Sequence, residues 1–288
     1  MTKTIFHSVF VAMVALFVLM APTRRASAQF VINSPKVEKG EVEVETHGSY
    51  SSGFPRSEAD DEDAEAPVRH GDEVEVGYGI TDFWKLELGF GFQKPQGEGW
   101  EGTEIEIENT FQLTEVKRWD MTIGFLASVA FGVGGADEPN AFEFGPLIQF
   151  GKEDDRSLIL NAIFEKTFGE NREDGLGFEY AAQLKAFKLR DNIMLGAEAF
   201  GEIENIDDVP SFDETELRIG PAIYFKFGGD NDDDKGKHKG LKDKDDDDDK
   251  GMKDADEGPE VEVGVGLLFG ATDATPDVTL KWDLEVSF

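Results

Sequence analysis

The stretch VTLKWDLEVSF (278–288) carries the pattern on which the fold of this chain turns. Val278, Leu280, Trp282, Leu284, Val286 and Phe288 alternate with Thr279, Lys281, Asp283, Glu285 and Ser287. Successive side chains of a strand point to opposite faces, so this strand has one wholly apolar and one wholly polar face. An apolar face that runs to a terminal aromatic needs either a covering layer or a solvent other than water. The rest of the chain must say which.

The opening residues, MTKTIFHSVFVAMVALFVLMAPTRRASA (1–28), carry Lys3, an apolar run from Val9 to Ala21 and the small residues Ala26-Ser27-Ala28. That is the pattern of an export signal, with cleavage expected before Gln29. The apolar run is shorter than the ~20 residues a spanning helix needs. No later stretch is apolar enough to be such a helix, so the mature chain is expected either to be secreted or to cross a membrane as strands.

Removing residues 1–28 takes away Lys3, Arg24 and Arg25 and no acid, which moves the net charge from −33 to −36. Nucleic acid is therefore not an expected partner. The chain contains no cysteine, which excludes a disulfide framework, a thiolate metal site and a cysteine nucleophile. With 24 Phe and 32 Gly distributed over short alternating segments, the composition favours strand over helix.

From about residue 38 onward, alternation over roughly ten residues followed by turn residues recurs. Twelve such segments run from GEVEVETHGSY through FWKLELGFGF, TEIEIENTFQL, RWDMTIGFLASVAFGV and TELRIGPAIYFKF to the closing stretch. One face of these segments carries Val42, Val44, Val74, Val76, Trp84, Leu86, Leu88, Phe90, Ile105, Ile107, Phe225, Phe227, Val261 and Val263. The other carries Glu41, Glu43, Glu45, Glu73, Glu75, Lys85, Glu87, Glu104, Glu106, Glu108, Arg218, Lys226, Lys281 and Glu285. In a soluble sandwich the polar face would simply be solvated. One-sided strands in this number instead call for one closed sheet with lipid outside it. The expected fold is all-β: a single antiparallel transmembrane β-barrel of about twelve strands over residues 38–288, with periplasmic termini and a periplasmic segment at 29–37.

Loop lengths orient the barrel, because periplasmic turns are short and external loops longer. Ile80-Thr81-Asp82 and Leu189-Arg190-Asp191 read as periplasmic turns, whereas Ser51 to Arg69, Lys94 to Gly102 and Asn205 to Phe212 read as external loops. DNDDDKGKHKGLKDKDDDDDKGMKDADE (230–257) breaks the rule, being long where a periplasmic turn is expected. It has no apolar pattern and is expected to be disordered. Placed on the EF-hand template, Asp246, Asp248, Gly251 and Glu257 fall on the first, third, sixth and twelfth positions, but Lys250 stands where an oxygen ligand is needed. The segment is thus a solvated insertion with at most a diffuse attraction for cations.

Catalytic patterns are thin. His47 lies two residues from Ser49 on one face, a pairing that would suit a barrel lipid hydrolase as an alternative, but no G-x-S-x-G or equivalent flank accompanies them. The Glu41-Glu43-Glu45 and Glu104-Glu106-Glu108 series read as ladders of interior polar residues rather than glycosidase pairs. The chain is not expected to be an enzyme, to use a cofactor or to hold a resident metal. If the acidic face lines a water path, the pore should prefer cations. Acids and bases pairing across the lumen would instead close it, leaving a structural or surface barrel whose acidic loop at 230–257 contacts cations or envelope partners, and the sequence is compatible with either.

The final strand, with Trp282, Leu284 and Val286 on one face and Phe288 at its end, resembles the C-terminal signal that the barrel-assembly machinery reads on bacterial outer-membrane proteins. PKVEKGEVEVETHGSY, DEVEVGYGITDFWKLELGF, FEFGPLIQF and ATDATPDVTLKWDLEVSF together resemble proteobacterial outer-membrane β-barrel proteins of the phenol-degradation meta-pathway type. That resemblance implies a bacterial outer-membrane location and transport of small solutes. Its motifs are structural, Gly79-Ile80-Thr81-Asp82 marking a turn, and it assigns no ligand residue. The Asp/Lys-rich insertion departs from the pattern.

Overall fold

The structure, a computed structural model, describes residues 30–55, 67–133, 139–152, 156–169, 172, 174–228 and 258–288. The expected export signal and the 230–257 insertion, with its EF-hand-like positions, lie outside the described residues. Period-two sequence becomes strand throughout: β1 (Val42–Ser52), β2 (Val68–Thr81), β3 (Trp84–Pro95), β4 (Glu101–Val116), β5 (Met121–Gly132) and β6 (Asn140–Gly151). They are followed by β7 (Ser157–Phe168), β8 (Gly177–Arg190), β9 (Ile193–Ile203), β10 (Glu216–Gly228), β11 (Glu260–Gly270) and β12 (Val278–Ser287). Each strand pairs antiparallel with its sequence neighbours, and β12 returns to β1, so the sheet is a closed barrel of twelve strands.

The closing seam runs from Glu43 opposite Ser287 to Ser52 opposite Val278. Phe288 N donates to Val42 O at 3.0 Å and Val42 N to Phe288 O at 3.3 Å, so pairing extends to the last residue. Gly48 sits on the outer side of this seam because the Trp282 indole lies over its Cα where a Cβ would stand. Closure leaves no sheet edge, which is what allows such a wall to face lipid.

The two faces sort as the alternation requires. Leu86, Ile107, Phe142, Leu184, Ile219, Phe227, Val265, Leu280 and Leu284 stand exposed on the outside. At one end of the outer wall Phe142, Phe144, Phe164, Phe178 and Tyr180 form a continuous aromatic row with ring centroids 5.1–5.9 Å apart. At the other end Trp84 stacks on Phe111 at 6.3 Å. Aromatic rows at the two rims match the interfacial girdles of membrane barrels. Each strand has ten residues or more, enough for the 9–11 a tilted strand uses to cross ~30 Å of hydrocarbon.

Two expectations need correction. RWD (118–120) does not begin β5: residues Lys117–Trp119 form a 3-10 turn and Asp120 closes it in the left-handed region at φ 47°. Gly151 N donates to Asp120 O at 2.7 Å, which ties this turn to the neighbouring strand end. Residues 30–37, the described part of the segment expected at 29–37 outside the barrel, run instead through its interior. Pro35 is fully buried, Val37 is 8% exposed and Phe30 9%.

Candidate functional site

The interior wall supplies a dedicated partner for almost every step of this inserted segment. Asn161 of β7 accepts a hydrogen bond from Asn33 N at 2.8 Å and returns one from Nδ2 to Asn33 O, also at 2.8 Å. Gln149 of β6 accepts from Ser34 Oγ at 3.3 Å, and Gln112 of β4 accepts from Val37 N at 3.0 Å. A strand-like segment inside a barrel has backbone groups that no neighbouring strand serves, and these side-chain amides answer that need. Gly124 gives Pro35 room, since a Cβ at 124 would stand 2.8 Å from Pro35 Cβ.

The inner end of the segment is held by apolar contact. Phe30 meets Phe200 of β9 edge-on at 5.4 Å, Leu268 and Ile32 complete the cluster, and the Arg218 guanidinium lies 4.8 Å over the Phe30 ring. On the facing wall Leu126, Leu147 and Ile163 form a second buried cluster. The segment thus crosses from the β4–β7 wall to the β9–β11 wall.

Among the described residues, two cavities flank the segment, and Asn33 borders both. The larger, about 860 Å³, opens at the end of the barrel that carries the chain terminus Phe288. Of the residues expected to line the lumen, Glu41, Glu43, Glu45, Glu87, Lys226 and Glu285 border this cavity. Lys36, Lys39, Lys85, Lys117 and Lys152 border it too, so its charge is mixed. Lys85 Nζ lies 2.6 Å from Glu43 and 2.9 Å from Glu87.

The smaller cavity, about 120 Å³, lies beyond the segment and has a different character. Glu73, Glu75, Glu104, Glu106 and Glu108 border it with Glu143, Glu165, Glu179, Glu202 and Glu216, and Arg218 is the one cation among its described lining residues. Arg218 Nη1 is 2.5 Å from Glu216. Ten carboxyl groups and one guanidinium therefore line one small chamber.

A third region is apart from both. On the β8–β12 wall Glu198 accepts hydrogen bonds from Tyr224 Oη at 2.9 Å, Gln183 Nε2 at 3.3 Å and Lys281 Nζ at 3.2 Å. Lys281 also reaches Asp283 at 2.8 Å, and Lys185 pairs with Glu262 while lying 4.9 Å over the Tyr224 ring. Here acids and bases are paired and largely buried, a structural network rather than a charged passage.

Sequence reasoning missed the inserted segment and the apolar interior positions. The available signal was the loss of strict alternation in FLASVA, SLILNAIF and IMLGAEAF, where both strand faces carry apolar residues. Inward apolar side chains in a barrel need something to cover them, and residues 30–37 and the clusters above do so. The Trp282, Leu284 and Val286 side chains lie on the outer face of β12, and Phe288 follows its last residue at the mouth of the larger cavity. His47 and Ser49 share the inner face, but neither His47 ring nitrogen makes a hydrogen bond, so the pair lacks the contact that nucleophile activation requires.

Strand number, antiparallel order, closure and the apolar-outside, charged-inside wall define an outer-membrane-type β-barrel. No family model and no curated protein matches the chain. Among solved structures, the NanC porin is similar over 85% of this chain and 98% of its own, at 7% identity and a TM-score of 0.47. The KdgM porin in complex with disordered oligogalacturonate is similar over the same shares at 10% identity and 0.44. An outer membrane channel from Pseudomonas putida F1 is similar over 91% of this chain and 99% of its own, at 10% identity and 0.48. At these values the function rests on the residues of this chain.

Proposed function

We propose that this protein is a bacterial outer-membrane barrel that passes small solutes, cations in preference to anions, along a narrow lumen divided by its own N-terminal segment. The observation that carries the reading is the inner chamber, where ten glutamates face a single arginine. A small cation entering it exchanges part of its hydration for carboxylate oxygens, whereas an anion meets one guanidinium among ten carboxyl groups. The mixed charge of the larger cavity offers no comparable barrier to either sign, so selectivity belongs to the inner chamber. The resemblance to the phenol-degradation meta-pathway type, the lipid surroundings and delivery by the barrel-assembly machinery belong to the same reading.

A second reading is favoured by one specific observation, the amide-anchored segment 30–37 across the lumen. If that segment never leaves, the barrel is closed and its role is structural. Proteoliposome uptake separates the two. Protein shown to be folded by its heat-modifiable gel mobility should admit a small organic cation faster than an anion of equal size. Equal exclusion of both would establish the closed barrel.

A further inference from the structure

At the boundary between the two cavities the inner wall brings three side chains together. Glu45 on β1 lies directly opposite Glu75 on β2, and His47 follows two residues after Glu45 on the same face. Glu45 borders the larger cavity and Glu75 the inner chamber. Two carboxylates placed opposite each other on paired strands repel unless a positive charge lies between them.

His47 is aimed into that gap. It is 7% exposed, and its Nε2 stands 3.3 Å from Glu45 Oε2 and 3.3 Å from Glu75 Oε2. Neither ring nitrogen makes a hydrogen bond. One Nε2–H cannot point along two directions at once, so a proton on this atom serves at most one of the two carboxylates well. A metal ion has no such limit. Ligands at ~2.0–2.1 Å in a tetrahedron stand ~3.3 Å from one another, which is the separation of Nε2 from both oxygens.

We propose that Glu45, His47 and Glu75 bind one divalent transition-metal ion, zinc by ligand chemistry, on the inner wall between the two cavities. One imidazole and two carboxylates are a donor set that suits zinc better than calcium or magnesium, which take oxygen alone. Three protein ligands leave a fourth position open to the lumen for water or a passing group. The adjoining groups Glu43–Glu45–Glu87 and Glu73–Glu75–Glu106 share one ligand each with the site but contain no imidazole. Lys85 already lies within 3.8 Å of all three carboxylates of the first group, and the specific ion belongs to the group that contains His47.

The site stands whether or not the lumen conducts, and equilibrium binding tests it without a flux measurement. Full-length mature protein, folded in detergent and stripped with chelator, is titrated with Zn²⁺ under excess Mg²⁺ to occupy diffuse carboxylate sites. The expected result is one tight zinc per chain, with His47→Gln and, separately, Glu75→Gln each weakening it by at least about tenfold. Co²⁺ in place of zinc should give the intense visible absorption of a four-coordinate site. Heat-modifiable mobility verifies that each variant is folded, and Asp191→Asn, in the exposed turn between β8 and β9 and outside both cavities, should leave affinity unchanged. Zinc that Mg²⁺ displaces, or binding that is equally tight in both folded site variants, would overturn the proposal in favour of diffuse attraction or an imidazolium held between two carboxylates.

Discussion

Asn161 shows how a single side chain converts a barrel interior into a binding surface for its own chain. Its amide meets both the N–H and the C=O of Asn33, the same pair of groups a neighbouring strand would have met. Replacing it with leucine of similar size leaves both backbone groups buried without a partner, at a cost of about 1–3 kcal/mol. Docking of residues 30–37 should weaken while the barrel stays closed. The absence of native cysteine makes this measurable: a Val31→Cys probe should react faster with a luminal maleimide when Asn161→Leu is added. An unchanged rate would mean that the apolar contacts of Phe30 hold the segment alone. Asn161 was not legible as functional, because an inward Asn on a strand reads as ordinary polar lining. Only the position of a segment 128 residues earlier in the chain gives it a role.

At the scale of elements, strands were legible and the inserted segment was not, for one physical reason. Strand side chains alternate with period two, and lipid outside against charge inside writes that period plainly in VTLKWDLEVSF or TEIEIEN. Residues 30–37 face polar and apolar wall by turns in a single pass, so FVINSPKV carries no period to read. Two element-level tests follow from the geometry. Gly124→Val on β5 would put methyl groups into the space of Pro35 and so displace the segment. Conductance in planar bilayers should rise in this variant, and conductance identical to the wild type would show that the segment does not limit passage. The turn that the sequence reading merged into β5 offers the second. Asp120 holds a left-handed conformation that costs an ordinary residue about 1–2 kcal/mol. Asp120→Gly should raise the unfolding midpoint in denaturant, whereas Asp120→Val should lower it. The opposite order would place the strain elsewhere.

For the whole molecule, the number of strands, their order and the inside-out polarity were readable, because each follows from local alternation repeated to closure. The distribution of charge within the lumen was not. Residues such as Glu143, Glu198 and Glu285 look alike in sequence, yet Glu143 borders the acidic chamber, Glu198 is held by Tyr224, Gln183 and Lys281, and Glu285 faces the mixed cavity. Which carboxyl group meets a lysine depends on strands far apart in sequence, so no local pattern separates them. This division makes opposite predictions for the same substitution. Glu143→Gln should reduce ion preference with little loss of stability. Glu198→Gln removes one partner of a buried pair and should cost stability, about 3–5 kcal/mol by the usual penalty for such pairs, with little change in ion preference. Denaturant unfolding and reversal potentials on both variants decide the assignment.

The measurement that bears most directly on the acidic, segment-divided passage is the reversal potential of the refolded mature protein in a planar bilayer under a KCl gradient. The geometry predicts discrete conductance steps whose reversal potential lies on the potassium side of zero. Loss of that displacement is expected when Glu106, Glu108 and Glu143 are changed together to glutamine. A reversal potential at zero, or on the chloride side, in protein shown to be folded would contradict an inner chamber that selects by its carboxylates.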